Sequence, residues 1–155
     1  MRPTASARVG LIRQVATWNP STSTYPSPAA GVVLRQLCSA TLPAPTALYN
    51  PGTGNGFDGR ILMNGEEIDN AGRAFGHLLD GTTYELPALG KAGWENQVAN
   101  AHTGDKTVVV GLDDSGELGQ MYVYVGDKRS EGNAVERAGL TGGTLYGIKV
   151  PGRCV

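Results

Sequence analysis

Five carboxylates at the margins of strand-like segments are the residues of this sequence best suited to chemistry. Two adjacent negative charges repel each other, so an acidic pair at a strand end is either solvated or neutralised by a cation. The chain carries two such pairs and one single acid, each beside an apolar or aromatic segment. Oxygen ligands of this kind favour a metal-centred site. The predicted metal ligands are Glu66, Glu67, Glu95, Asp113 and Asp114.

A second interpretation is that these five acids are ordinary turn residues that face water. Nucleophilic chemistry without a metal has less support, because the sequence has no Gly-x-Ser-x-Gly elbow and neither of its two histidines has a discernible nucleophile partner. His77 lies in an apolar run and is predicted to be a hydrogen-bonded structural histidine. Cys38 follows Leu37 and precedes small residues, so it is predicted to be a buried, inert thiol. A metal-binding or reactive role for Cys38 is the alternative.

The elements that would position these acids are short strands joined by turns. The 23 glycines and 9 prolines are spread along the chain, with β-branched and aromatic runs between them. This pattern is typical of an all-β fold with short antiparallel strands. Asp80-Gly81 predicts a hairpin turn, and 134–138 predicts a single helical turn closed by Gly139. The predicted strands cover 60–64, 73–79, 82–86, 94–101, 107–112, 120–125 and 144–150.

Length and charge restrict the remaining classes of function. The 155 residues fit one domain, in which 1–30 is a Ser/Thr/Pro-rich extension or strap and 31–155 is the β-rich part. A net charge of -1 favours neither nucleic acid nor an anionic membrane as a partner. No apolar run approaches the roughly 20 residues that span a bilayer, and no signal peptide is visible at the N-terminus. Whether Cys38 and Cys154 pair is not decided by the sequence.

Four segments, in the same order, resemble motifs of the bacterial PhoX-type alkaline phosphatases. Segment 60–67 is similar to the strand that ends in Cys-Glu-Glu in that family, and 89–95 is similar to its Gly-Arg-Phe-x-His-Glu segment. Segment 108–114 is similar to a strand that closes in Asp-Asp, and 143–146 matches a Gly-Thr-Leu-Tyr that opens a later strand. The resemblance covers about residues 59–150.

The resemblance implies an exported, periplasmic or extracellular, six-bladed β-propeller that hydrolyses phosphate monoesters with iron and calcium at the mouth of its channel. A phosphorylated small molecule is then the expected partner. Glu66 and Glu67 match the paired acids of the family, and Glu95 matches the acid that follows its histidine. Asp113 and Asp114 match the late acidic pair.

The chain departs from the family pattern at two ligand positions. The iron-binding cysteine of the family falls on Gly65 and its histidine falls on Trp94. Neither residue supplies a usual metal ligand, so the remaining all-oxygen set is better suited to calcium than to iron.

A complete propeller of this kind needs several hundred residues, so we expect this chain to form only part of the ring. An incomplete ring exposes sheet faces and strand edges, which favours self-association or pairing with the remainder of a propeller. The sequence therefore predicts a fragment or truncated relative of a metal-dependent phosphatase. The alternative is a non-catalytic β domain that binds calcium or serves as an interaction surface.

Overall fold

Two four-stranded β-sheets form most of the fold. The computed structural model describes residues 12–26, 28–116, 119–149 and 151. Its helical segments are α1 (Pro45–Leu48), α2 (Ala134–Arg137) and single 3-10 turns at Asp69–Ala71 and Pro87–Leu89. The strands are β1 (Gln14–Ala16), β2 (Ile61–Gly65), β3 (Ala74–Leu78), β4 (Thr82–Glu85), β5 (Trp94–Ala99), β6 (Lys106–Asp113), β7 (Met121–Asp127) and β8 (Thr144–Gly147). The predicted all-β class is confirmed.

The first sheet has the strand order β1-β4-β3-β2. Strands β2, β3 and β4 pair antiparallel, and Gly81 in the predicted Asp80-Gly81 turn has a φ of 91°, which glycine adopts without strain. Strand β1 departs from the expected antiparallel pattern, because it runs parallel to β4 with Gln14 opposite Thr82. A parallel pair needs a long crossover connection, and the chain between β1 and β4 supplies it.

The second sheet is a simple antiparallel meander in the order β5-β6-β7-β8. Three of its inward side chains, those of Gln97, Val109 and Tyr124, are each 1% exposed. They alternate with outward side chains, as the two-residue period of a strand requires. The register between β5 and β6 shifts between Trp94 and Asn96.

The hydrophobic core lies where the two sheets pack on each other, with β2 against β5. Helix α2 closes one side of this core. It begins with a capping box between Asn133 and Glu136 and ends at Gly139, whose φ is 72°. The predicted helical turn and its glycine stop are therefore confirmed. The largest buried apolar side chains are Trp94, Tyr124, Phe75, Ile61, Met63, Leu86, Leu89 and Leu140.

An extended segment, residues 36–41, lies beside the free edge of β2. We call this segment the strap; it is distinct from the N-terminal extension predicted for 1–30. Leu37 and Thr41 make isolated bridges with Glu66 and Met63, so the strap extends the first sheet without forming a regular strand. No helix within the described residues is long and apolar enough to cross a membrane. The question of a disulfide to Cys154 lies outside the described residues.

Candidate metal centre

Three side chains with metal-ligating atoms converge where the strap meets the ends of the two sheets. One ligand atom from each of Cys38, Glu67 and Glu95 lies within 4.8 Å of the others, and all three residues are half-buried. Within the described residues this is the one group of three or more such side chains that meets that distance. The predicted ligand set contains Glu67 and Glu95, whereas for Cys38 a metal-binding role is only the alternative interpretation of the sequence.

Backbone hydrogen bonds hold the strap in the position that brings Cys38 to the cluster. The amide of Cys38 donates to the carbonyl of Gly65 over 3.1 Å, and the amide of Glu67 donates to the carbonyl of Gln36 over 2.9 Å. The strap and the end of β2 thus form a short antiparallel pair around the bridge between Leu37 and Glu66. The sequence does not predict the contact between Cys38 and Glu95, because the two residues are 57 positions apart.

Glu95 reaches the cluster because it lies at an irregularity of β5. The register passes from Trp94 opposite Asp113 to Asn96 opposite Leu112, so Glu95 is the extra residue of a β-bulge. Bulges redirect a side chain out of the normal alternation and are common beside functional sites. This bulge is the local reason that Glu95 lies beside the strap.

Hydrogen bonds already order the three side chains relative to each other. The Cys38 thiol donates to Glu95 Oε2 over 3.1 Å, and the Ser39 hydroxyl donates to Glu95 Oε1 over 3.0 Å. Gln36 Nε2 donates to Glu67 Oε2 over 3.2 Å. The bond to Glu95, followed by that to Glu67, raises the pKa of the Cys38 thiol. A proton therefore occupies the space between sulfur and carboxylate that a cation would take.

The donor set is one that metal ions use in proteins. Two ligand atoms of a tetrahedral zinc site, with bonds of 2.0–2.3 Å, lie about 3.6 Å apart, so the hydrogen-bonded Cys38–Glu95 pair at 3.1 Å would open by about 0.5 Å if a cation replaced the proton. A thiolate favours zinc or iron, whereas calcium takes oxygen ligands. Glu67 and Glu95 belong to the expected all-oxygen set, and the strap adds a sulfur atom beside them.

Glu66 lies outside the cluster, although the sequence prediction paired it with Glu67. Its side chain is 1% exposed and forms an ion pair with Arg73 in which Nη2 lies 2.7 Å from Oε1 and Nε lies 2.9 Å from Oε2. The backbone amides of Arg35 and Arg73 also donate to this carboxylate. Burial alone would raise the pKa of Glu66, but these donors together hold it below its ordinary value. Both oxygens are occupied, so Glu66 is a structural residue.

A groove of about 320 Å³ opens beside this ion pair. Arg73 is fixed in its wall, because it also donates to the carbonyl of Val33 over 2.7 Å and lies over the ring of Phe75 at 5.0 Å. Arg35, whose side chain is exposed, brings a second positive charge to the same wall. The groove and the three-residue cluster therefore flank the same stretch of backbone. The lining residues are Val33, Arg35, Glu66, Ile68, Ala71 and Arg73.

Asp113 and Asp114 also lie outside the cluster. Asp113 Oδ1 accepts hydrogen bonds from the amide of Gly93 over 3.1 Å and from both the amide and the hydroxyl of Ser115. Asp114 is exposed, and its amide donates to the carbonyl of Gly93. The Asp113 carboxylate and the Asp114 backbone amide thus fasten the turn after β6 to the segment before β5, while the Asp114 carboxylate is directed to solvent.

One packing contact explains the glycine at position 65. Trp94 is 1% exposed and covers Gly65 so closely that a Cβ atom at position 65 would lie 2.4 Å from Trp94 Cβ. The close approach of β2 to β5 at this point therefore leaves no room for a side chain at position 65.

The predictions made for His77 and Cys38 have different outcomes. His77 is 5% exposed, and its ring nitrogens lie 2.8 Å from Thr83 Oγ1 and 2.8 Å from Asn64 Oδ1, as predicted for a structural histidine. Cys38 was predicted to be a buried, inert thiol; it is half-buried, with its thiol against the Glu95 carboxylate, and its inertness stays a prediction.

Comparison with protein-family models, with curated proteins and with solved structures finds no match to this chain.

Proposed function

We propose that this chain carries the metal centre of a PhoX-like phosphoesterase, with Cys38, Glu67 and Glu95 as its protein ligands. The observation that carries the proposal is the convergence of one sulfur and two carboxylate groups within 4.8 Å of one another. Three protein ligands leave a coordination position open, which is the arrangement of catalytic rather than structural zinc sites. A metal in such a site polarises a phosphoryl oxygen and lowers the pKa of bound water.

The residues around the ligands support a role in binding a phosphate ester. Ser39 and Gln36 hold the carboxylates in place, which lowers the cost of ordering them when a cation binds. The wall of the adjacent groove presents Arg73 and Arg35, and guanidinium groups match the geometry of phosphate oxygens. Arg73 is already oriented by Glu66, so its position is fixed before a ligand arrives.

The sheet arrangement supports the proposal that the chain is part of a β-propeller. The meander of β5 to β8 has the four-stranded order of a propeller blade. Strands β2 and β5, which come first in their antiparallel series, pack against each other. In this proposal the cluster lies where two neighbouring blades meet, at the ends of their inner strands.

A second candidate function is a structural metal site without turnover. The cluster ties the strap to the ends of both sheets through residues from three separate segments. A bound cation there would stabilise the fold whether or not a substrate reached it. Calcium bound to Glu67 and Glu95 alone is the oxygen-only version of this second candidate.

Titration of the chelator-treated protein with zinc, ferrous iron and calcium, followed by thermal unfolding, tests the proposal. A cation that binds only the folded state stabilises it by about 2.7 kcal/mol at a concentration one hundred times its Kd. We expect zinc or iron to raise the melting temperature. Cys38→Ser should weaken their binding by at least about tenfold, or ~1.4 kcal/mol. Asp114→Asn is the matched control and should leave binding unchanged.

Hydrolysis of p-nitrophenyl phosphate by the metal-loaded protein separates the two candidates. Turnover that needs the metal and is lost in Glu95→Gln supports the phosphoesterase. Stabilisation without turnover supports the structural site. The absence of a thermal shift with all three cations would refute both.

A further inference from the structure

The second sheet has an apolar face that is directed away from the core. The side chains on this face form three rows across the sheet: Asn96, Leu112, Met121 and Ile148; Val98, Val110, Val123 and Tyr146; and Val108, Val125 and Thr144. We call this surface the outer face. Every residue in it is exposed or half-buried, in contrast to the inward row beside it.

The degree of exposure on the outer face is unusual for such large side chains. Tyr146 is 55% exposed, Ile148 is 49%, Met121 is 45% and Val98 is 38%. Four of the seven large hydrophobic side chains that are exposed among the described residues are therefore gathered on one sheet face. Scattered exposed apolar residues need no explanation, but a contiguous patch marks an interaction surface.

The three rows of the outer face carry no charge. They contain no Asp, Glu, Lys or Arg, although 17% of the whole chain is charged. The next row on the same side of the sheet is the ion pair of Lys106 and Asp127, whose charges neutralise each other at the edge of the outer face. The corresponding far face of the first sheet is different, because it carries the polar network of Asn64, His77 and Thr83 and is buried by its own chain. Within the part of the chain that the structure describes, the first sheet is thus covered on both faces and the second on one.

We infer that the outer face is the interface of a two-fold dimer in which a second copy of this chain packs its own outer face against the first. An uncharged face offers no complement to a charged partner, whereas two such faces match each other without an unpaired charge. A two-fold operator uses the same patch on both copies, so it covers both faces at once and closes the assembly. Sheets with apolar faces pack in this manner about 10 Å apart.

The area of the outer face gives an order-of-magnitude expectation for the affinity of the dimer. Four strands about 4.8 Å apart, with about six residues of 3.3 Å each, give a face of roughly 19 Å by 20 Å. Side chains roughen this surface, so two copies would bury on the order of 1,000 Å² together, which is the lower limit of specific interfaces. We therefore expect a dissociation constant in the micromolar range. This inference does not depend on the metal centre, and in it the second copy takes the place that a next blade would have in the proposed propeller.

Sedimentation velocity of the full chain over a range of concentrations tests the dimer. The wild type should convert from monomer to dimer as its concentration rises. Tyr146→Lys and Val98→Lys each place a charge at an exposed position of the outer face, and each should raise the dissociation constant by at least tenfold. Circular dichroism shows whether each variant is folded. If one variant fails to fold, the other still measures the effect of a charge on dimerisation.

Leu79→Lys is the matched control, since Leu79 is 52% exposed but lies in the hairpin of the first sheet. It should dimerise as the wild type does. A wild type that stays monomeric at the highest concentration would overturn the inference and indicate a different polypeptide as the occupant of the face. Open-ended association, or a dimer that neither outer-face variant weakens, would overturn it as well.

Discussion

Two consecutive glutamates of this chain have different roles because adjacent residues of an extended backbone point to opposite sides. Glu66 lies in the buried ion pair with Arg73, while Glu67 lies beside Cys38 and Glu95. The pairing of the two acids in sequence predicts a shared site, but their alternation prevents one. The sequence therefore indicates which residues are candidates, and the backbone geometry decides between them.

Glu66→Gln and Glu67→Gln should have opposite effects. Glu66→Gln leaves Arg73 without its counter-charge in a largely buried site, so we expect a loss of about 2–4 kcal/mol in unfolding free energy with metal affinity little changed. Glu67→Gln should weaken metal binding by at least about tenfold while unfolding of the metal-free protein changes by less than about 0.5 kcal/mol. Urea unfolding and calorimetric metal titration check the two results. Equal loss of metal affinity in both variants would contradict the separation of roles.

His77 should make stability depend on pH. Burial lowers the pKa of His77 below the ordinary 6.5, so the unfolded chain takes up the proton first as the pH falls. Stability is then fully present above about pH 6.5 and declines below it until the folded pKa is reached. Each unit of difference between the two pKa values costs about 1.4 kcal/mol. Glu66 contributes at lower pH, since its lowered pKa preserves its stabilisation until the pH falls below the ordinary value of 4.5.

Urea unfolding at about pH 7.5 and pH 5.5 checks this dependence. His77→Gln is the informative variant, because glutamine can still donate to Asn64 and accept from Thr83 without titrating. We expect its stability to change less than that of the wild type between the two pH values. An identical pH dependence in both proteins would show that another group is responsible.

At the scale of the elements, the contact between Gly65 of β2 and Trp94 of β5 fixes how closely the two sheets approach. A methyl group at position 65 would overlap the tryptophan, so Gly65→Ala should cost about 1–3 kcal/mol. Trp94→Gly alone should cost at least about 3–5 kcal/mol by leaving a cavity. In the double variant the methyl group enters that cavity, because Trp94→Gly also removes the Cβ atom that would lie 2.4 Å from a Cβ at position 65. The two costs should therefore sum to more than the measured loss.

Gly147→Ala provides the control for this cycle. Gly147 also lies in a strand, but a Cβ there would meet its nearest neighbour at 3.9 Å, which is an ordinary contact. We expect its unfolding free energy to change by less than about 0.5 kcal/mol. Strict additivity of Gly65→Ala and Trp94→Gly would mean that the two residues are not coupled.

The local elements of this fold follow from local chemistry, which is why they can be predicted from sequence. The Asp80-Gly81 turn and the helix that stops at Gly139 depend on residues within a few positions of each other. The alternation along β6 and β7 is equally local. The all-β class follows from the sum of these patterns.

The candidate site depends on contacts that no local pattern contains. Cys38 joins it because the strap pairs with the end of β2, and Glu95 joins it because β5 has a bulge. Neither event has a signature in the residues around it. The parallel pairing of β1 was missed for the same reason, since its partner lies far along the chain. Contacts between segments far apart in the chain are the part of this fold that the sequence does not predict.

At the scale of the whole molecule, the two sheets differ in how far apart in the chain their partners lie. Strands β5 to β8 pair only with their neighbours in sequence, whereas the side chain of Gln14 in β1 bonds to Thr82 in β4 across 68 residues. Closing a long loop costs entropy before its contacts form, so local pairings form first. We therefore expect the meander to form first and β1 to dock last. Amide protons of β1 should exchange with solvent fastest among the strands.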